Sequence, residues 1–286
     1  GLPAKKLAES LGASIVTSDY HELIRDPEIN LIICATRHST HARIAIEVLK
    51  ANKNLYMEKP LALSGDELRE VLQAARESSG RLLVGFNRRI SSHISMARTT
   101  LGSSPTHLQM MYSVNAGPLE PSHWSYDPRE GGRILGEACH FTHLLNYIAR
   151  DVPKRVTLSA IPVGRAIAHE ESFSLTIEYA NGSLGTVIYS ALGNFKFPKE
   201  YLEIYGAGTI MTIDNFKSGK IMGSVHSETK NLWKQDKGYA REIQEFIVAV
   251  RDGKPSPMSL EEIDLAHRTI FAAIESLKTG APVDFS

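Results

Sequence analysis

An α/β fold is predicted by three features of the 286-residue sequence. Helical and strand-like segments alternate over the first part of the chain. Two of those strands are unbroken apolar runs, and after Asn87 the alternation gives way to strands in succession. Alternation at this spacing builds a doubly wound parallel sheet, and continuous apolar strands suit a sheet covered on both faces. The expected architecture is an incomplete parallel-sheet domain over residues 1–87. An α+β domain over 88–286 follows, with an open, largely antiparallel sheet.

The elements follow in order. Pro3 to Leu11 is a helix, with proline near its start and Gly12 just beyond its end. Ser14 to Thr17 is a short strand. Asp19 caps a helix through Ile24, which stops before Asp26-Pro27. Ile29 to Ala35 is a buried strand. Ser39 or Thr40 caps a helix to about Lys50, and Asn54 to Met57 is the next strand. Ser64 caps a helix with acids in its first turn that ends by Gly80. Leu82 to Phe86 closes this Rossmann-like portion. Beyond it come a helix to Leu101, a strand from His107 to Val114, a loop from Gly117 to Pro128 and a helix from Gly132 to Ala149. Strands are expected at Arg155–Val163, Ser172–Tyr179, Ser183–Ser190, Tyr201–Tyr205 and Ile210–Asp214, with Asn181-Gly182 as a hairpin turn. Helices at Tyr239–Arg251 and Leu260–Lys278 end the chain, the second stopped by Gly280.

Composition narrows the function. Lys plus Arg and Asp plus Glu number 32 each, so no broad basic face is offered to nucleic acid and no polybasic stretch to lipid. Apolar runs such as Leu31 to Ala35 are too short to span a bilayer. Cys34 and Cys139 are the only cysteines, which makes a reducing cytoplasm the expected setting.

Ligands of doubly wound sheets bind at the carboxyl ends of the strands. Three such ends carry polar residues: Thr36 to His41, Glu58-Lys59-Pro60 and Gly85-Phe86-Asn87-Arg88-Arg89. Each also has a plain structural reading, as a helix cap, a turn lysine or a solvated face. A fourth cluster, Gly136-Glu137-Ala138-Cys139-His140-Phe141-Thr142-His143, puts Glu137, His140 and His143 at i, i+3 spacing near one helix face. These are core or boundary residues, or they do chemistry. No metal site is assigned, because Cys139 points elsewhere and no distant ligand set accompanies it.

Taken together and in this order, the segments resemble the Gfo/Idh/MocA oxidoreductase family over nearly the whole chain, to the closing Gly280-Ala281-Pro282-Val283. They look most like the C-terminal module of bidomain members that carry an alcohol-dehydrogenase-like region upstream. Asn115-Ala116-Gly117, His123-Trp124 and Phe197-Pro198-Lys199-Glu200 are among the features shared with that subgroup. The resemblance implies an NAD- or NADP-dependent dehydrogenase of a sugar, nucleotide sugar or polyol. Lys59, its pKa lowered by burial near cationic neighbours, would hydrogen-bond the reacting oxygen, and His140 would be the general acid/base. Thr36, His41, Glu58 and Lys59 would border the nicotinamide ribose. Arg88, Trp124, Glu137 and His140 would face substrate. Two departures stand out: Gly136 occupies a position where the family usually has Asp, and His143 another. Glu137 is expected to point about 100° away from Gly136, too far to replace it. A non-catalytic sugar- or nucleotide-sensing module, or a subunit of the same fold, is the alternative.

The first helix matches the one that follows strand 2 of a complete Rossmann sheet, and no Gly-x-Gly-x-x-Gly occurs. The expectation is therefore a fragment without strand 1 and the glycine loop, inactive alone and a weak dinucleotide binder. The strand through Leu31 to Cys34 should have an unpaired edge. The outer face of the second sheet, with Ser174, Thr176, Thr186 and Ile188, is expected to form a homo-oligomer interface.

Overall fold

A computed structural model describes residues 2–102, 107–162, 170–223 and 227–285. Helix α1 (Leu2–Leu11) leads to α2 (Tyr20–Arg25), where Asp19 accepts from the His21 amide at 3.0 Å. Strands β1 (Leu31–Cys34), β2 (Asn54–Met57) and β3 (Leu82–Val84) form a parallel sheet in the order β1-β2-β3. Helices α3 (His38–Lys50) and α4 (Gly65–Glu77) provide the crossovers, and Ser64 caps α4 as expected, accepting from the Glu67 amide.

Two expectations fail here for one reason. Ser14 to Thr17 is not a strand, and Ile15 and Val16 are exposed. β1 is not covered on both faces either, since Ile33 is 54% exposed. Among the described residues β1 is an edge with nothing paired beyond β2. An extended segment without a ladder partner leaves its backbone groups to water, so propensity alone does not make the strand.

The second sheet contains β4 (Gln109–Asn115), β5 (Pro153–Ala160), β6 (Phe173–Tyr179), β7 (Leu184–Ser190), β8 (Glu200–Gly206), β9 (Thr209–Asp214), β10 (Ser218–Gly223), β11 (Ser227–Asn231) and β12 (Val283–Asp284). Their order is β11-β10-β9-β8-β4-β7-β6-β5-β12. Only the β4–β7 pairing is parallel. Val163, the expected end of the strand at Arg155, lies outside the described residues. The Asn181-Gly182 turn joins β6 to β7, with Gly182 at φ +81° supplying the left-handed conformation this turn needs. The sequence reading did not contain β10, β11 or β12.

Helices α5 (Ser92–Leu101), α6 (Cys139–Ala149), α7 (Tyr239–Arg251) and α8 (Leu260–Thr279) complete the chain. Alternation sorts the sheet cleanly. Tyr112, Leu175, Ile177, Val187, Tyr189 and Leu202 are buried beneath the helices, while Met111, Ile188, Tyr201 and Met222 are exposed on the opposite face. The C-terminal segments also reach back to the first sheet. The Leu61 amide donates to His267 Nε2 at 2.9 Å, and Ser256 Oγ donates to Leu82 O at 2.7 Å. No helix among the described residues is long and apolar enough to cross a membrane.

Candidate active site

The site lies where the carboxyl ends of β1, β2 and β3 meet α6 and the loop before it. α3 is not capped by its own Ser39 or Thr40, contrary to expectation. It starts at His38, and its N-cap, Arg37, makes no side-chain capping bond. The acceptor comes from the second domain: Glu130 takes the Ser39 amide at 3.1 Å and the Ser39 hydroxyl at 2.9 Å. A carboxylate at a helix N-terminus meets unpaired amides and the positive end of the dipole. This contact ties the first domain to the loop that carries Trp124.

Lys59 follows β2 and projects across the same gap. Its Nζ donates to Gly136 O at 2.6 Å and lies 3.6 Å from Glu137 Oε1. Its direct partners are thus a carbonyl and a carboxylate, not the cationic neighbours expected. Glu137 faces other groups than a side chain at Gly136 would, since that side chain would meet His38. Residues Ile134–Ala138 form a π turn, and Glu137 lies between Lys59 and Lys199, the latter at 3.3 Å. Burial would raise the Glu137 carboxyl, but Lys59, Lys199 and Arg88 outweigh it and hold it at about 2.

A cavity of about 300 Å³ opens against this pair, lined by His38, Lys59, Trp124, Arg133, Gly136, Glu137 and Lys199 among others. Trp124, expected to face substrate, lines this cavity. Its ring meets His38 edge-on, with centroids 4.8 Å apart, and the Arg37 guanidinium lies 4.6 Å from its centroid. His38 was not singled out from sequence. It reads locally as a helix-start residue, and its partner Glu130 is 92 positions away.

The other expected residues divide. His140 is buried on α6, its Nδ1 has no hydrogen-bond partner and it does not line the cavity. Burial, with Arg88 and Lys59 nearby, holds its pKa well below the usual histidine value, so the ring is neutral. His143 is buried too, bonded to Glu262 at 2.9 Å and stacked on Phe86. His41 is fully buried and joins two loops, Nδ1 to Pro60 O at 2.8 Å and Nε2 to Thr36 O at 3.2 Å. Arg88 does not face the cavity at all. It makes a two-pronged pair with Glu200, at 2.8 and 2.9 Å, in the core of the second domain. Tyr112 and Lys237 donate to the same carboxylate, each at 2.6 Å. Among the described residues, no cluster of three or more His, Cys, Asp or Glu side chains could hold a metal ion.

The nicotinamide-ribose end of a dinucleotide fits what is present. Thr36 is exposed at the end of β1. Glu58, half-buried at the end of β2, has a carboxylate with no hydrogen bond or ion pair among the described residues. The Thr36 hydroxyl is bonded to Thr40 Oγ1 at 2.7 Å, and the unpaired Glu58 carboxylate can accept from ribose hydroxyls. The glycine loop that would cradle the pyrophosphate does not occur in the sequence.

This fold and site define a nicotinamide-dependent oxidoreductase scaffold, and comparison with known proteins identifies the family. The description "Oxidoreductase family, NAD-binding Rossmann fold" matches residues 2–86, and "GFO/IDH/MocA C-terminal domain" matches residues 94–211. The chain belongs to the Gfo/Idh/MocA family. It is 26% identical to the uncharacterized oxidoreductase YrbE of Bacillus subtilis, over 98% of this chain and 85% of that protein. It is 22% identical to myo-inositol 2-dehydrogenase of Thermotoga maritima, over 96% and 85%. Among solved structures, levoglucosan dehydrogenase in complex with NADH and levoglucosan superposes with a TM-score of 0.85 at 20% identity, covering all of this chain and 87% of that one.

Proposed function

We propose that the protein is an NAD(P)-dependent dehydrogenase or reductase of a ring hydroxyl on a sugar, nucleotide sugar or polyol. The observation that carries this reading is the Lys59 amine, held by Gly136 O and Glu137 at the wall of a polar cavity beside the sheet's carboxyl edge. Names of relatives support the substrate class, since inositol and levoglucosan are both polyhydroxylated rings. A bound oxidised dinucleotide supplies the hydride acceptor. Lys59 donates to the substrate hydroxyl oxygen and relays its proton toward His140, whose neutral imidazole has a lone pair to receive it. Glu137 anchors Lys59 and, with Lys199, contacts substrate hydroxyls, and Trp124 offers an apolar face to the ring. Thr36 and Glu58 border the nicotinamide ribose, with His41 fixing the loops that hold them. Two buried free cysteines fit a reducing, cytoplasmic setting. The exposed apolar face of the second sheet is the homo-oligomer contact.

Turnover of myo-inositol, levoglucosan, hexuronates and nucleotide sugars is measured by nicotinamide absorbance at millimolar NAD⁺ or NADP⁺. Lys59→Ala should lower turnover of the preferred substrate about 10²-fold or more. Equal turnover by Lys59→Ala would remove Lys59 from the chemistry. Gly136, where a carboxylate is usual, favours a second reading: a sugar-sensing module. Ligand binding without any turnover would establish it.

A further inference from the structure

We propose that His38 is a hydrogen-bond acceptor for a substrate hydroxyl in this cavity, occupying the space that a side chain at position 136 would otherwise fill. The inference rests on the dehydrogenase reading and adds a substrate-orienting residue to it.

Three observations converge. First, the tautomer is fixed by the partner. His38 Nδ1 lies 2.9 Å from Glu130 O, and a carbonyl only accepts, so Nδ1 carries the hydrogen. In a neutral ring Nε2 is then the bare, accepting nitrogen. Second, Nε2 has no hydrogen-bond partner among the described residues and is not sealed in, while the residue lines the cavity beside Lys59 and Trp124. Burial, despite the opposing pull of the Glu130 carbonyl, pushes the imidazole down to about 4, with Lys59 and His41 adding to the effect. The ring therefore stays neutral at physiological pH. Third, a Cβ on Gly136 would stand 2.6 Å from His38 Cε1. The imidazole and a side chain at 136 exclude each other, so glycine there is the condition for the ring's position.

Lys59, Lys199 and Arg133 on this wall only donate, Glu137 is engaged by two lysines, and His123 Nδ1 is bonded to the Ser125 hydroxyl at 2.8 Å. A sugar hydroxyl both donates and accepts. With Lys59 engaging the reacting hydroxyl, a neighbouring ring hydroxyl needs an acceptor for its hydrogen, and His38 Nε2, on the wall that holds Lys59, is unengaged. Trp124 packs edge-on against the imidazole, with centroids 4.8 Å apart.

The test is nitrogen NMR of the histidine-labelled protein at neutral pH. The expected spectrum has His38 protonated at Nδ1 and bare at Nε2. An Nε2–H tautomer or an imidazolium overturns the proposal. Myo-inositol, glucose and glucuronate are then added as probes, with the Trp124 indole reporting cavity occupancy. Occupancy should move the His38 Nε2 signal. If the indole responds and Nε2 does not, His38 is not the acceptor, while the active-site reading survives. If neither responds to any probe, both fall. For a substrate that turns over, His38→Phe should raise KM about tenfold with kcat nearly kept. His38→Gln, which restores an acceptor oxygen, should recover most of the loss. Equal KM for wild type and His38→Phe overturns the proposal, as does His38→Gln behaving like His38→Phe.

Discussion

Removing Arg88 separates the role read from the sequence from the role seen in the structure. Its side chain is 4% exposed and its partner Glu200 1%. Deleting the guanidinium removes two charge-assisted hydrogen bonds and leaves a buried carboxylate facing Lys237 and Tyr112 alone. Breaking a buried pair by removing one partner costs about 3–5 kcal/mol. Lys237 retains part of the neutralisation, which favours the lower end. The lost guanidinium contact with the Phe141 ring, at 5.2 Å, pushes the other way. Arg88→Ala should therefore lose about 3 kcal/mol, or about 6 °C in Tm for a chain of this size. The pair also has a pH signature. Burial would raise the Glu200 carboxyl, yet Arg88 and Lys237 hold it far below the usual range. A depressed folded-state value means its contribution is complete above the unfolded pKa and is lost as pH falls below about 4. Calorimetric scans of wild type, Arg88→Ala and Glu200→Gln from neutral pH into the acid range test both points, with Glu200→Gln expected to show the flatter acid limb. A Tm for Arg88→Ala within about 1 °C of wild type, accompanied by a large rise in KM, would refute this reasoning and return Arg88 to the substrate.

Other outcomes follow from the same structure. Burial raises Glu242, hydrogen-bonded by Tyr56 at 3.0 Å, to about 8. A raised value means stability is fully present below the unfolded pKa and is lost as pH climbs toward 8, so Glu242→Gln should flatten that decline in denaturant melts. Titration calorimetry of the 286-residue polypeptide with NAD(H) and NADP(H) should show binding weaker than micromolar, because no glycine loop is present for the pyrophosphate; micromolar affinity would show that the nicotinamide half-site suffices. Ile188→Asp, on the exposed sheet face, should shift the light-scattering mass toward monomer, and an unchanged mass would locate any self-association elsewhere.

What the sequence disclosed was local. Strand β2 falls at its expected bounds, Asp19 and Ser64 cap as their side chains allow, and the Asn181-Gly182 turn closes its hairpin, because each depends on residues a few positions apart. What it concealed depended on partners far along the chain. Arg88 finds Glu200 after 112 residues, and nothing beside Arg88 signals a buried carboxylate. Ser14 to Thr17 has strand-forming residues but no ladder to join.

The case of Glu137 shows the limit most sharply. From an ideal helix, with about 100° between successive residues, Glu137 must point away from the direction of Gly136. At Ile134–Ala138 the helix widens into a π turn; a side chain at 136 would meet His38, while Glu137 is the partner of Lys59. Glycine at 136 and the carboxylate at 137 are parts of one arrangement. The Gly136 carbonyl accepts from Lys59, its missing side chain leaves space for His38, and Glu137 brings a negative charge to the same lysine. Position 136 is therefore to be read together with His38, Lys59 and Glu137, whose places depend on one another.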